Sequence, residues 1–247
     1  MRIRNLFSAL FKLFGIDKHN DKDSLHDNKF PHSVSTGKHQ DLVKNLELLV
    51  DEGNYAACYD LGQLYYLGGN GVEKDIRKAI LYFIKAADNG IPEAAYQLGK
   101  IYETGVEGVL AAEQRLSFEW YAQAAEACIP EAENNLGSCY FFGRGVDVDY
   151  DKAFCLYSSA AKKGNIEAEM NVGICYAAGR GVEQDYTLAY RWWKKAAENG
   201  HVKAMVNLAT CYEMGVGIAQ NKLEAYRWYK NAAELGDVFA ANKLIHQ

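Results

Sequence analysis

The chain has 247 residues, 49% of them hydrophobic, with three prolines and a formal net charge of −5. That length supports one or two domains with a sizeable core, and the scarcity of proline leaves long helices open almost everywhere. No run of about 18 apolar residues occurs, so no transmembrane helix is expected. Charge is uneven: residues 1–40 carry seven Lys/Arg and four Asp/Glu, and the remainder carries twenty and twenty-eight. A negative body is a poor match for phosphate backbones, so the expected partner is not a nucleic acid but a basic or mixed protein surface.

In residues 1–16, Ile3, Leu6, Phe7, Leu10, Phe11 and Phe14 follow the spacing of one helical face, with Arg2, Arg4 and Lys12 on the other. Lys12 interrupts the apolar run and no small-x-small cleavage site follows, against a secretory signal. Two readings of this amphipathic helix stand: peripheral contact with a membrane surface, or docking on the protein's own body. Residues 17–40 are polar and aperiodic and read as a flexible linker. Four histidines lie there (His19, His26, His32 and His39), six or seven residues apart and without cysteines. Zinc sites pair their ligands more tightly, so no metal is expected.

From about residue 41 the sequence repeats. Tyr65, Tyr102, Tyr140, Tyr176 and Tyr212 recur at steps of 37, 38, 36 and 36. Double alanines recur at Ala86, Ala124, Ala160, Ala196 and Ala232. A period of about 36 residues is that of stacked helical hairpins. The first helix of each hairpin, helix A, reads A-x-x-x-L-G-x-x-Y and opens at Pro92 or Pro130 in two copies, where a missing N–H costs nothing. Its mid-helix glycine (Gly62, Gly99, Gly137, Gly173; Ala209 in the fifth copy) costs about 1 kcal/mol against alanine, so a close helix approach is expected there. Asp75, Asp149, Asp185 and Asn221 are expected N-caps of helix B. Aromatic pairs follow them, as in Trp192–Trp193 and Trp228–Tyr229, and read as core. Gly90, Gly164, Gly200 and Gly236 close helix B. Copy two departs, with Ser117 for the helix-B alanine, Cys128 for the closing glycine and no clear cap near Ala112–Glu113. Its helix B is expected to be displaced or loosely started.

These motifs resemble the Sel1-like repeat family, relatives of the tetratricopeptide repeat, over about residues 57–237. The resemblance implies an all-α, right-handed superhelical solenoid of about five hairpins (57–91, 92–129, 130–165, 166–201 and 202–237). A lone helix precedes it in residues 41–55 and a half-repeat ends it at 238–247. It also brings two comparisons with chemistry. The family includes secreted cysteine-rich members, which point to a β-lactamase-like hydrolase. Here, however, Cys139, Cys175 and Cys211 hold the place that Leu64 and Ile101 take in other copies, the pattern of a small buried hydrophobe. Equivalent positions in stacked hairpins lie about 8–10 Å apart, beyond the reach of a disulfide. No disulfides and a reducing, cytoplasmic location are expected. Ser35-Thr-Gly-Lys38 and Ser159-Ala-Ala-Lys162 fit S-x-x-K without the companion motifs of that chemistry. No catalytic residue, metal or cofactor is assigned.

A stacked array offers an extended concave face. In the tetratricopeptide fold helix A lines it, and the residue before the repeat leucine contacts bound peptide backbone. Here that position holds Asp60, Gln97, Asn135, Asn171, Asn207 and Lys243. One turn on come Gln63, Lys100, Ser138, Ile174 and Thr210, with Phe141–Phe142 near the turn as apolar anchors or packing. An amide both donates and accepts, so a ladder of amides suits a main chain of any sequence. The expected function is a protein-interaction scaffold or adaptor. The alternative is a toxin-neutralising immunity protein, for which the acidic body would meet a basic toxin.

Overall fold

The computed structural model describes residues 37–69 and 71–245. The amphipathic segment 1–16 lies outside them. Twelve α-helices make up the regular structure of the described residues, with two isolated bridges, Gly69–Val72 and Val106–Leu110, in the longer turns of copies one and two. The chain divides into two compact units, Met1–Asn89 and Gly90–Gln247.

The first unit holds α1 (Gly37–Asp51), α2 (Tyr55–Leu67) and α3 (Ile76–Asp88). Helix α1 starts at Gly37, so its first turn takes in four residues read above as linker. The second unit holds α4 (Pro92–Thr104), α5 (Gln114–Glu126), α6 (Pro130–Phe142), α7 (Tyr150–Lys162), α8 (Ile166–Ala178) and α9 (Tyr186–Glu198). It ends with α10 (Val202–Met214), α11 (Lys222–Glu234) and α12 (Val238–Ile245). Within it each helix packs on its chain neighbours, so hairpins stack in order.

Each hairpin is closed by the same two devices. The carbonyl of the repeat tyrosine accepts the backbone N–H of the helix-B cap residue at 2.8–3.0 Å in all five copies, from Asp75 to Tyr65 through Asn221 to Tyr212. This gives an orphan helix-A carbonyl a partner and fixes where helix B begins. The cap side chains then accept from the first turn: Asp75 from Lys78, Asp149 from Lys152, Asp185 from Thr187 and Leu188, Asn221 from Glu224. Copy two has Glu113 at this position, with no side-chain cap bond, as its sequence foreshadowed. Its helix B nonetheless has the 13 residues of the others, because the Glu113 N–H bond to Tyr102 holds its start. Cys128 adopts φ +60° where the other copies have glycine.

The mid-helix glycines mark where the helices touch. One helix-B ring packs against each of them. A Cβ on Gly62, Gly99 or Gly173 would collide with Phe83, Tyr121 or Trp193. At Gly137 the nearest Tyr157 ring atoms stand at 3.0 Å. Phe83, Tyr121, Tyr157 and Tyr229 are 0–2% exposed. The second turn glycine serves a different contact. A Cβ on Gly145, Gly181 or Gly217 would strike the carbonyl of Gln114, Tyr150 or Tyr186, at the start of helix B one hairpin earlier.

Two buried carboxylates were not anticipated. Glu133 and Glu169 are 6% and 1% exposed. Glu169 pairs with Lys195 at 2.7 Å, and Asn199 donates to it at 3.4 Å. Glu133 pairs with Lys163 at 2.7 Å and accepts from Ser159 at 3.0 Å. Both bridges tie helix A to helix B of one hairpin. The same position is Cys58, Ala95, Met205 or Ala241 elsewhere.

Two stability outcomes follow from these contacts. Gly173→Ala gains about 1 kcal/mol of helix propensity but overpacks against Trp193, a cost of about 1–3 kcal/mol. Its melting temperature should fall, and that of Gly137→Ala should stay near wild type. Glu169→Met, which copies the residue of the fifth hairpin, should be nearly neutral in urea unfolding. Lys195→Met strands the buried carboxylate and should cost about 1–3 kcal/mol, the ammonium being half in solvent.

Candidate functional site

The thirteen-residue helices A place their positions 2, 5, 6, 9 and 13 on one face, a 3.6-residue stripe. In the second unit this stripe lines a groove of about 680 Å³ across α6, α8, α10 and the start of α12. Position 6 supplies Asn135, Asn171 and Asn207, and position 9 supplies Ser138 and Ile174. Those were read from the sequence. Missed were position 5 (Asn134, Met170, Val206) and position 2 (Glu167, Lys203, Phe239). Arg144 from the turn after α6 and Asp237 before α12 complete the wall. Continuing the helical stripe from the asparagines finds position 2 one turn back and position 13 two turns on.

Phe142, at position 13, is 63% exposed on the rim, and Phe239 is 53% exposed. Phe141 turns inward and is buried. The Arg144 guanidinium lies 5.4 Å from the Phe142 ring centre. Arg180, its counterpart one hairpin on, stacks on Phe141 and Tyr150 at 5.0 Å each. Arg180 is therefore a packing residue.

The amides are largely engaged with one another. Asn171 Nδ2 donates to Asn134 Oδ1 at 2.9 Å, and Asn134 Nδ2 donates to Asn135 Oδ1 at 3.3 Å. Beside them the Tyr121 hydroxyl donates to Glu103 Oε2 at 2.7 Å. Arg144 donates to the other Glu103 oxygen at 2.7 Å. Burial, and then the Glu103 carboxylate, push the Tyr121 phenol far above its usual value, so it stays a donor. Asn207 makes no side-chain hydrogen bond among the described residues. The Ser138 and Tyr157 hydroxyls are hydrogen-bonded at 3.0 Å.

The remaining sequence candidates lie elsewhere. Asp60 and Gln63 belong to the first unit, where Gln63 donates to Tyr59 at 2.7 Å. In the second unit Gln97 and Lys100 stand on α4, away from the groove walls, with Lys100 over the Tyr96 ring. Thr210 bonds the Val206 carbonyl at 2.9 Å and Tyr229 at 3.1 Å. Lys243 is held by Glu213 at 2.9 Å, and Tyr229 donates to the same carboxylate at 2.8 Å. Tyr229–Glu213 thus repeats Tyr121–Glu103 at equivalent helix positions, with the cation drawn from within the next helix A at Lys243 and from the turn after it at Arg144.

Chemistry by acid, base or nucleophile finds little here. His201 bonds Glu167 at 2.8 Å, and that bond holds the Glu167 carboxyl below its usual value. Burial pushes the thiols of Cys139 and Cys211 up to about 11 and of Cys175 up to about 12. They are protonated at neutral pH and poor nucleophiles. No group of three or more metal-ligating side chains occurs among the described residues.

A family model of the Sel1 repeat matches residues 56–91, 92–127, 130–165, 166–201 and 202–237. The chain belongs to the Sel1 repeat family. Members of this family generally mediate protein–protein interactions and are typically non-catalytic. The chain is 32% identical over 127 residues to the ERAD-associated E3 ubiquitin-protein ligase component HRD3B of Arabidopsis thaliana, over 51% of this chain and 20% of that protein. It is 30% identical over 102 residues to the chitin synthase regulator SKT5 of Saccharomyces cerevisiae, covering 41% and 15%. It therefore spans a fifth or less of the length of these curated relatives. Among solved structures, it is similar to a protective antigen of uropathogenic Escherichia coli with a Sel1-like fold (32% identity, TM-score 0.76, 82% of this chain and 43% of that one). A Sel1 repeat protein of Oxalobacter formigenes is likewise similar (30%, TM-score 0.73, 83% and 86%).

The Glu213 carboxyl is held below its usual value, first by the Lys243 hydrogen bond and then by Tyr229, against desolvation. A depressed folded-state value stabilises above the unfolded carboxylate value of about 4.3, and that stability is lost as pH falls through the folded value. Between about pH 5 and pH 3, the melting temperature of wild type should drop further than that of Glu213→Gln.

Proposed function

We propose that this Sel1 repeat chain is an adaptor that holds a segment of a partner protein in the helix-A groove of its second unit. One observation carries the reading. The groove presents two exposed phenylalanines, Phe142 and Phe239, on either side of the unengaged Asn207 amide. Exposed aromatic rings around a polar centre are what peptide grooves use, with apolar anchors for affinity and an amide for the main chain. Two of the groove's charged groups favour binding over turnover, since Arg144 and Glu167 are each already committed to a partner within the protein.

A photocrosslinking residue at position 239 should give a discrete adduct with one polypeptide in the native cell. The same residue at 226, on the exposed outer side of helix B, should give none. Phe142→Ala with Asn207→Ala should remove the adduct without changing helical content or melting. An adduct equal at both positions, or one that survives the double substitution, would overturn the groove reading.

A further inference from the structure

A second cavity, of about 570 Å³, is bounded by α7, α8 and α9. It shares no lining residue with the groove. Its rings are Phe154, Tyr176 and Trp192, and the buried Val172 lines it beneath them. Phe154 and Tyr176 meet edge to face at 5.4 Å. One face of α7 supplies most of the rest, through Cys155, Ser158, Ser159 and Lys162. Counted from the first residue of each helix B, these positions hold larger groups in the other hairpins. Position 6 is Leu81, Glu119, Arg191 or Arg227 where α7 has Cys155. Against Ser158, position 9 is Ile84, Lys194 or Lys230 in three hairpins and Ala122 in one. Against Ser159, position 10 is Lys85, Gln123, Lys195 or Asn231. The repeat leucine, present at Leu61, Leu98, Leu136 and Leu208, is Val172 here. Side chains are thus trimmed at four positions around one cavity, and an open notch forgoes the contacts that longer ones make.

The charge changes at the same place. Position 13 of helix B is a carboxylate in the other four hairpins, at Asp88, Glu126, Glu198 and Glu234, and Lys162 in α7. A lysine in a last turn suits the helix dipole, which does not account for the trimmed side chains beside it. Among the described residues Lys162 makes no ion pair, and neither it nor Ser158, one turn back on the same face, makes a side-chain hydrogen bond. The neighbouring cations are engaged, Lys163 with Glu133 and Lys195 with Glu169, each at 2.7 Å. A carboxylate at position 13 would repel an anion. An uncommitted ammonium beside an uncommitted hydroxyl instead receives its oxygens in charge-assisted hydrogen bonds. The rings next to them suit a planar apolar body, and the volume is that of a small-molecule site. We propose that this cavity binds a planar aromatic anion, a carboxylate or sulfonate of one or two fused rings. Its rings lie among Phe154, Tyr176 and Trp192, and its oxyanion sits at Lys162 and Ser158.

The chain carries its own reporter. Cys155 is an exposed thiol on the cavity wall, and Cys128 is an exposed thiol outside it. The probe is 8-anilinonaphthalene-1-sulfonate, compared with N-phenyl-1-naphthylamine, the same rings without the sulfonate. On the full chain, the sulfonate near saturation should slow alkylation of Cys155 by iodoacetamide about tenfold, by occupancy, and leave Cys128 unchanged. Lys162→Glu, which restores the charge of the other hairpins, should weaken the sulfonate about tenfold and leave the neutral amine as it was. Ser158→Ile with Val172→Leu copies residues of the first hairpin and fills the cavity. It should abolish the protection of Cys155 by either probe while the melting temperature holds. Every arm is read at Cys155, so probe bound in the groove does not register. Equal protection of Cys128 and Cys155, or protection that survives filling, would overturn the site. Lys162→Glu holding the sulfonate as tightly as wild type, or the neutral amine binding wild type as well as the sulfonate does, would overturn the anion.

Discussion

Everything in this molecule is referred to the contact between a helix-B ring and a helix-A glycine. The ring of Phe83, Tyr121, Tyr157 or Trp193 lies where a side chain on the facing helix would be. That approach sets the separation and rotation of each hairpin. The rotation decides which stripe of helix A faces its own helix B, and the opposite stripe is left to line a groove. Glycine mid-helix is locally unfavourable. It recurs because the packing it permits buries an aromatic ring, completely or nearly so at Phe83, Tyr121 and Tyr157 and in part at Trp193, worth more than the propensity lost. In the fifth hairpin Ala209 stands there beside a fully buried Tyr229, so one methyl group is accommodated.

The hairpins were legible in the sequence because each of their signals is local. A cap residue, a closing glycine and a ring pair each act within a few residues of themselves, and five copies in register separate signal from accident. The buried carboxylates Glu133 and Glu169 were not legible. A glutamate in a helical first turn reads as a solvated residue favourable to the helix dipole. Only the third dimension shows Lys163 and Lys195 reaching back some thirty residues to it. The repeat did hold one hint, since cysteine, alanine or methionine occupies that position in other copies. In the second hairpin the weak cap at Glu113 was correctly read from the sequence. The consequence drawn from it was not, because the backbone bond to Tyr102 needs no side chain.

The groove was half legible. The asparagine positions and the residues one turn on were found because a single position was followed through all copies. Phe239 and Lys203 were missed because they share a face with the asparagines only when the stripe is followed toward the helix start. More instructive is what became of the amides. A ladder of asparagines suggests a row of equivalent contacts for a ligand. The folded chain makes them unequal: Asn135 accepts from its neighbour Asn134, Asn171 donates to Asn134, and Asn207 makes no side-chain hydrogen bond among the described residues. Sequence periodicity reports equal positions, and hydrogen bonding between repeats makes them unequal.

The ion pairs also differ in what they connect. Glu133–Lys163 and Glu169–Lys195 each begin and end in one hairpin. Glu103–Arg144 and Glu213–Lys243 each span two. A duplicated or transplanted hairpin would therefore carry its interior charge pair intact wherever it landed. The spanning pairs would not survive such a move, because each needs a particular successor. The fourth hairpin keeps its charge pairs to itself, the third lends Arg144 to the second, and the second and fifth are addressed to what comes next. Insertion or loss of a unit is thus tolerated unequally along the array, and the order of the hairpins is written in the charges that cross between them.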